Sequence, residues 1–462
     1  ANPRLSRSSA LASKATGYPL AAVGAQLSLN VALHELVNPI TSGEHHSTSA
    51  FFEPSLDYCV VKFPRWDTTK FEHVSNLLGS SMKAVGEVMS IGRNFEEAMQ
   101  KAIRMVADGN EGFEPGFFPN GRENEMDEMS LKSPTPNRIF AIANRMYSGE
   151  MSVDDVHEVN KSDKWYPTKL QNIGDGSKSL EDSKHRVTAG AGDGYDTKAA
   201  MKTAHDNNLT GVGEGGDKIC ELLRNCKEMG FSDAQIAKRW EISEMDVRAL
   251  RVQHNVLPAV KQIDTLGGEY PATSNYLYTT YNGRADDVRF DDHGVLVIGS
   301  GTYRIGSSVE FDYCSVKAVH ALARLGKRTI MINNNPETVS TDFDENDRLY
   351  FDELSLEKVL DIYEKEAAEG IVVSVGGQAP NNIALKLHNL GANALGPHPS
   401  PLDRCEDRPA PPAMLDELEI LQPAWVSVPP TTAATDFCAE VGYPVIVRTP
   451  YVLQGAAIHS VP

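Results

Sequence analysis

Three short apolar runs, at 295–298 (Val-Leu-Val-Ile), 329–332 (Thr-Ile-Met-Ile) and 371–375 (Ile-Val-Val-Ser-Val), constrain this chain more than any other feature. Stretches of helical period at 315–325, 356–368 and 382–390 follow them in turn. Strands this short alternating with helices predict a parallel sheet with right-handed crossovers. In an open sheet of that kind ligands sit beyond the carboxyl ends of the strands. Chemistry is therefore expected in the loops after the first two strands.

The first loop begins Gly299-Ser-Gly301, which invites comparison with a dinucleotide-binding turn. The third glycine of that fingerprint would fall at Arg304, and Asn333-Asn-Asn335 stands where a ribose-binding acid belongs. Both departures argue against a nicotinamide-dependent oxidoreductase. The loop continues through Arg304 and 306–308 to Glu310, and Glu337 opens the segment past the second strand. The Ser and Thr residues there can simply satisfy loop backbone. Two acids at adjacent strand ends point instead to a functional pair.

The rest of the chain reads as three further regions. Residues 1 to about 110 are mixed α/β, with an Ala/Ser-rich helical stretch at 9–36, a strand at 57–63 and a helix at 94–106. Acidic residues, Gly and Pro mark a linker at 111–133. Residues 134–260 are helical, opening at Thr135-Pro136 as N-cap and first helical position. Periodicity is lost at 174–217, which predicts a mobile insertion. Ser232 with Gln235, and Ser243 with Asp246, are capping-box patterns; Phe231 with Ile236 and Ile242 with Val247 are candidate staples. Two short helices in tandem resemble a helix-turn-helix, but Lys238, Arg239, Arg248 and Arg251 make no unusual basic face, so packing is the expected role. The last region has a helix at 414–418 and a strand at 445–447.

The 462 residues carry a formal charge of −19, which argues against non-specific nucleic-acid binding. No apolar run approaches the ~18 residues of a membrane span. Six scattered cysteines without a CxxC pair predict a reducing compartment. Asn2, Arg4 and Arg7 lie close together ahead of a helix that Ser8 or Ser9 could cap. An amide oxygen suits a hard metal and arginine suits phosphate, although surface arginines are common. That cluster begins at the second residue, so the chain is expected to be an internal piece of something longer.

Longer segments carry a specific resemblance. They are 2–20 (Asn-Pro-Arg-Leu-Ser-Arg onward), 52–57, 81–89, 259–265, 303–312, 335–342, 347–350, 375–378 and 442–448. In this order they resemble the large subunit of carbamoyl phosphate synthase, with 111–258 loosely matched and 174–217 foreign to it. Residues 63–67 (Phe-Pro-Arg-Trp-Asp) and 381–385 (Asn-Asn-Ile-Ala-Leu) are similar to eukaryotic members.

The resemblance implies an α/β chain of four parts. Residues 1–110 would end a first ATP-grasp unit, and 111–270 would form a helical oligomerisation domain. Residues 271–400 would be a Rossmann-like pre-ATP-grasp domain, and 401–462 would start a second ATP-grasp unit. It implies ATP-dependent synthesis of carbamoyl phosphate from bicarbonate and ammonia or glutamine, serving pyrimidine or arginine biosynthesis. It further implies ATP with Mg2+ or Mn2+, a glutaminase subunit or domain, self-association, and a cytoplasmic or mitochondrial place. Asn2 matches a metal ligand, and Arg4 and Arg7 match residues holding phosphates and carboxyphosphate. Ser8, Ala12, Ala15, Glu310 and Glu337 match the lining of a carbamate tunnel. Arg408 and Arg448 match nucleotide-contacting arginines of the second ATP site.

Three departures temper the match. Pro409-Ala-Pro411-Pro412 is expected to obstruct a helix start. Arg448-Thr-Pro-Tyr451 changes the order of the family motif, and Thr302 replaces a usual proline. The chain alone is therefore expected to lack a complete active site and not to turn over ATP. The competing expectation is a non-catalytic oligomerisation or regulatory module built on the 134–260 helices.

Overall fold

The computed structural model describes residues 4–43, 46–71, 73–106, 109–116, 131–188, 214–269, 273–307, 309–406, 410–428, 432–448 and 458–461. Its first unit opens with helices α1 (Arg7–Thr16) and α2 (Leu20–Ser28) and the ribbon β1 (Val37–Gly43) and β2 (His46–Ser49). An antiparallel hairpin follows, β3 (Cys59–Arg65) paired with β4 (Gly86–Gly92), and then helix α3 (Phe95–Val106). The Asn94 side chain caps α3 by accepting from the Glu97 N–H at 2.8 Å. That satisfies a donor with no intrahelical partner.

The helical unit comprises α4 (Arg138–Ser148), α5 (Val153–Asn160), α6 (Trp165–Thr188), α7 (Glu214–Glu228), α8 (Asp233–Trp240) and α9 (Glu244–Gln253). The cap of α4 is Asn137 rather than Thr135, whose carbonyl accepts from the Arg138 N–H. Ser243 and Asp246 form the predicted reciprocal box, but the Gln235 side chain turns away to the Phe113 carbonyl. Phe113 is buried against the same core, so the expected linker at 111–133 is packed at its start.

The expected mobile insertion also shrinks, because α6 runs to Thr188. Ile173, Ser177, Leu180 and Ser183 recur at helical spacing and are all buried. Gly176 lets the helix touch the turn before α8: a Cβ there would lie 2.7 Å from Met229 Cε. Two glycines and the polar residues between the buried positions hide that stripe in the sequence; the remainder, 189–213, lies outside the described residues.

The predicted sheet is present and larger than expected. Its strands are β5 (Ala259–Gln262), β6 (Tyr276–Thr280), β7 (Gly294–Ile298), β8 (Arg328–Asn333), β9 (Arg348–Phe351), β10 (Gly370–Val372) and β11 (Ala394–Leu395). They run in the order β11-β10-β7-β8-β9-β6-β5, parallel throughout except for the antiparallel edge strand β5. The sheet thus gathers residues upstream of the expected boundary at 271. Helices α10 (Glu310–Arg324), α11 (Leu356–Lys365) and α12 (Gln378–Asn389) connect the strands. Beyond it lie α13 (Pro399–Glu406), α14 (Ala410–Glu417), α15 (Thr432–Val441) and the ribbon β12 (Val445–Arg448) with β13 (Ile458–Val461). Pro411 and Pro412 do not prevent α14: they occupy its first turn, where backbone N–H groups have no helical acceptor anyway.

An ion network that sequence reading missed joins the helical unit to the sheet unit. Lys227 Nζ lies 2.6 Å from Glu357 Oε1 and 2.8 Å from Asp233 Oδ1. Arg251 reaches Asp233 and Asp361, both at 2.7 Å, and Arg248 reaches Asp361 at 2.6 Å. Every one of these side chains is buried. Arg248 and Arg251 are thus interior ion-pair partners, which removes them from any nucleic-acid face.

Glu244 stands at the edge of that network. Burial, with Glu357, Asp233 and Glu111 nearby, pushes its carboxyl up to about 7, against the opposing pull of Lys386. A raised folded pKa gives stability that is full below the unfolded value and lost as pH rises through about 7. Glu244→Gln should therefore flatten the stability profile between pH 5 and 8. At pH 8 it should add on the order of 1–3 kcal/mol, read by urea unfolding.

Candidate functional site

The carboxyl ends of β7 and β8 meet the N-terminal unit. Asn333 organises both loops there: its Oδ1 accepts from the N–H groups of Gly301 (3.1 Å) and Asn334 (2.9 Å), and its Nδ2 donates to Ser340 Oγ (3.0 Å). A Cβ on Gly299 would fall 2.6 Å from the Asn333 amide. The glycine turn is thus filled by an asparagine, which closes the place a dinucleotide pyrophosphate would need. Thr302 is buried beside it.

The β3–β4 hairpin covers these loops. The Met89 N–H donates to the Asn334 carbonyl at 3.2 Å, and Asp67 Oδ2 accepts from the Ile305 N–H at 2.7 Å. Gly86 permits the approach: an added Cβ would lie 2.8 Å from the Tyr303 carbonyl oxygen. Gly86→Ala should cost about 1–3 kcal/mol by overpacking. An unchanged unfolding midpoint would contradict the close contact.

Glu337 lies where α1, the hairpin and the post-β8 loop converge. Its side chain is 5% exposed, yet neither carboxylate oxygen accepts a hydrogen bond from a described residue. Arg7 Nε approaches Oε1 at 3.6 Å, while the Arg7 side chain stays 54% exposed. Burial and the nearby Glu87 carboxylate push the Glu337 carboxyl upward; Arg7 and Lys62 oppose them. Lys62 bridges the other components, donating to Ser8 Oγ at 2.8 Å and pairing with Glu87 Oε2 at 2.5 Å. A poorly solvated carboxylate beside an exposed guanidinium sets a titratable group and a cation next to any anion that enters there.

A cavity of about 300 Å³ adjoins Glu337, walled by the N-cap Ser6, by Ser9, Ser13 and Lys14 of α1 and by Asp342. Lys14 Nζ is tied to Asp342 Oδ1 (2.8 Å), the Thr338 carbonyl (2.9 Å) and Thr341 Oγ1 (2.8 Å). Burial lowers its pKa, with Asp342 pulling the other way.

The expected residues divide accordingly. Arg7, Ser8 and Glu337 come together. Arg4 is exposed one turn before Arg7, donating to the Leu5 carbonyl. Ala12 and Ala15 share a face with Ser8, and Ala15 packs in a core with Tyr58, Met89 and Ile91. The 300 Å³ cavity opens on a different face of α1, so of the five expected tunnel residues only Glu337 lines it. Glu310 begins α10 exposed and has no hydrogen bond or ion pair with Glu337. Arg448 ends β12, and Asn2 and Arg408 lie outside the described residues. Sequence reading assigned no role to Glu87 or Lys62. A charge inside the apolar run Val85-Gly-Glu-Val-Met89 was the available signal for Glu87.

Among the described residues no group of three or more His, Cys, Asp or Glu could hold a metal. No described helix is long and apolar enough to cross a membrane.

Comparisons with known proteins agree on one relationship. A model of the "Carbamoyl phosphate synthase preATP-grasp domain" matches residues 291–404. The large-chain oligomerisation domain matches 87–193 and 205–255, so the unmatched insertion is far shorter than 174–217. The large-chain ATP binding domain matches 1–36. The chain is 50% identical over 460 residues to the multifunctional protein pyrABCN of Emericella nidulans, covering 100% of this chain and 18% of that protein. It is 49% identical over 457 residues to the mitochondrial arginine-specific carbamoyl phosphate synthase large chain of Schizosaccharomyces pombe, covering 99% and 36%. It is 47% identical over 463 residues to the mitochondrial carbamoyl-phosphate synthase [ammonia] of Rattus norvegicus, covering 100% and 28%. The chain thus spans well under half the length of these relatives.

Proposed function

Because the chain belongs to the carbamoyl phosphate synthase large-chain family, we propose that it supplies the middle of an enzyme making carbamoyl phosphate from bicarbonate, ammonia and ATP. In this reading residues 1–110 end one ATP-grasp unit and 401–462 begin the next. The helical domain and the pre-ATP-grasp domain lie between them. Glutamine serves as the ammonia source through a glutaminase subunit or domain, and the product feeds pyrimidine or arginine synthesis. The helical unit mediates self-association, and the setting is cytoplasmic or mitochondrial.

The observation that carries the proposal is the buried Glu337 carboxylate facing Arg7 across the α1–loop junction. When bound, ATP supplies the transferable phosphoryl group. The described residues fit its anionic edge, since Arg4 and Arg7 are exposed around the N-terminus of α1. They supply no metal set; Mg2+ or Mn2+ would rely on Asn2. Arg7 and Lys62 attract carboxyphosphate or carbamate, and the Glu337 carboxylate beside Arg7 orients that guanidinium towards the entering anion. Ser8 and Ala12 continue the carbamate path, while Arg408 and Arg448 serve the second nucleotide.

Glu337→Gln in the full-length protein tests the passage. Bicarbonate-dependent ATP hydrolysis should persist while carbamoyl phosphate formed per ATP falls about tenfold, the size of one charge-tuned hydrogen bond. An unchanged ratio would remove Glu337 from the path.

A further inference from the structure

A second cavity, of about 690 Å³, lies away from Glu337, in the cleft between the helical unit and the sheet unit. Arg224 of α7 and Arg284 of the post-β6 loop both line it. Both arginines are exposed, and neither makes a hydrogen bond or ion pair with a described residue. Two acids line the same cleft: Glu228, four residues after Arg224, and Asp286, which is already committed. Its Oδ2 pairs with Lys365 Nζ at 2.8 Å and its Oδ1 accepts from the Val260 N–H at 2.8 Å.

The cleft also has an apolar side. Tyr281 forms part of its lining with its hydroxyl turned inward to Glu357 Oε1 at 3.0 Å, and Leu257 is 46% exposed at the rim. Guanidinium forks match phosphate and carboxylate oxygens in pairs. The volume lies within the ~300–1,000 Å³ of small-molecule sites and exceeds what inorganic phosphate would fill.

We infer that this cleft binds a phosphate-bearing organic anion of nucleotide size, its phosphate between Arg224 and Arg284 and its flat body over Leu257. Such a ligand bridges the two units.

Adenosine 5′-monophosphate is a suitable probe, titrated calorimetrically into the full chain. Saturable binding should weaken at least tenfold in the Arg224→Gln/Arg284→Gln double variant. It should weaken similarly in Leu257→Glu, which keeps both arginines but adds a negative charge at the rim. The inference is overturned by no saturable binding, by equal binding in the double variant, or by equal binding in Leu257→Glu.

Discussion

Glu357→Ala should lower the unfolding free energy by about 3–5 kcal/mol, one of the largest single losses available in this chain. The reason lies in what remains after the carboxylate is gone. Lys227 keeps Asp233, but it loses the partner at 2.6 Å, and the buried N–H of Asp233 loses its acceptor, also at 2.6 Å. The Tyr281 hydroxyl loses a partner too. Removing one member of a buried pair leaves an uncompensated charge, and that residual charge sets the size of the effect.

The pH dependence has a definite sign. Burial alone would raise the Glu357 carboxyl, but Lys227, Lys358 and Arg251 together hold it well below its ordinary value. Asp361 is likewise held down, by Arg251 and Arg248 against burial. Depressed folded pKa values give stability that is present above the unfolded value and lost as pH falls through the folded one. The wild-type chain should therefore weaken in acid below about pH 4.5. Glu357→Ala should show a shallower acid slope. Denaturant unfolding at pH 7 and pH 4 measures both effects, and a loss below 1 kcal/mol at pH 7 would contradict the network's role.

The network also shows where sequence reading stops. Strands β7 and β8, helix α3 and the Ser243 cap of α9 were legible because each is written in a local pattern. Apolar runs bounded by turns, a 3.6-residue stripe and an acid three residues after a serine need no knowledge of distant chain. Lys227 and Glu357 carry no such local mark, since their partnership spans 130 residues. Arg248 and Arg251 look like solvent-facing residues of an amphipathic helix until Asp361 packs against them. Strands β5, β6 and β9 were missed because their short runs gain meaning only from pairing: Tyr276 lies beside Leu349, and Leu277 beside Tyr350.

The candidate site divides in the same way. Glu337 was found because strand-end position is a topological rule. Its environment was not, because Glu87 and Lys62 arrive on a hairpin far away in sequence. The tunnel role of the five expected residues comes from resemblance, which names positions and not the face each presents. Hence Glu310 begins its helix in solvent, whereas Ala15 sits in a packed core.

Arg7→Ala in the full-length protein should reduce carbamoyl phosphate formation by about 10²–10³-fold, as expected for loss of one preorganised donor to developing phosphoryl or carboxylate charge. Stability should change little, because the Arg7 side chain is 54% exposed and makes only a long contact at 3.6 Å. Arg7→Lys should recover only part of the rate, since a point charge replaces a bidentate fork. A full rate in Arg7→Ala, with the fold intact, would move the chemistry away from α1.

The central claim is that α1 and the post-β8 loop act as one site. A double-mutant cycle on carbamoyl phosphate formation, comparing Arg7→Ala, Glu337→Gln and the pair, tests it most directly. Non-additivity of more than about 0.5 kcal/mol is the predicted result. Strictly additive effects would mean that Arg7 and Glu337 serve separate steps.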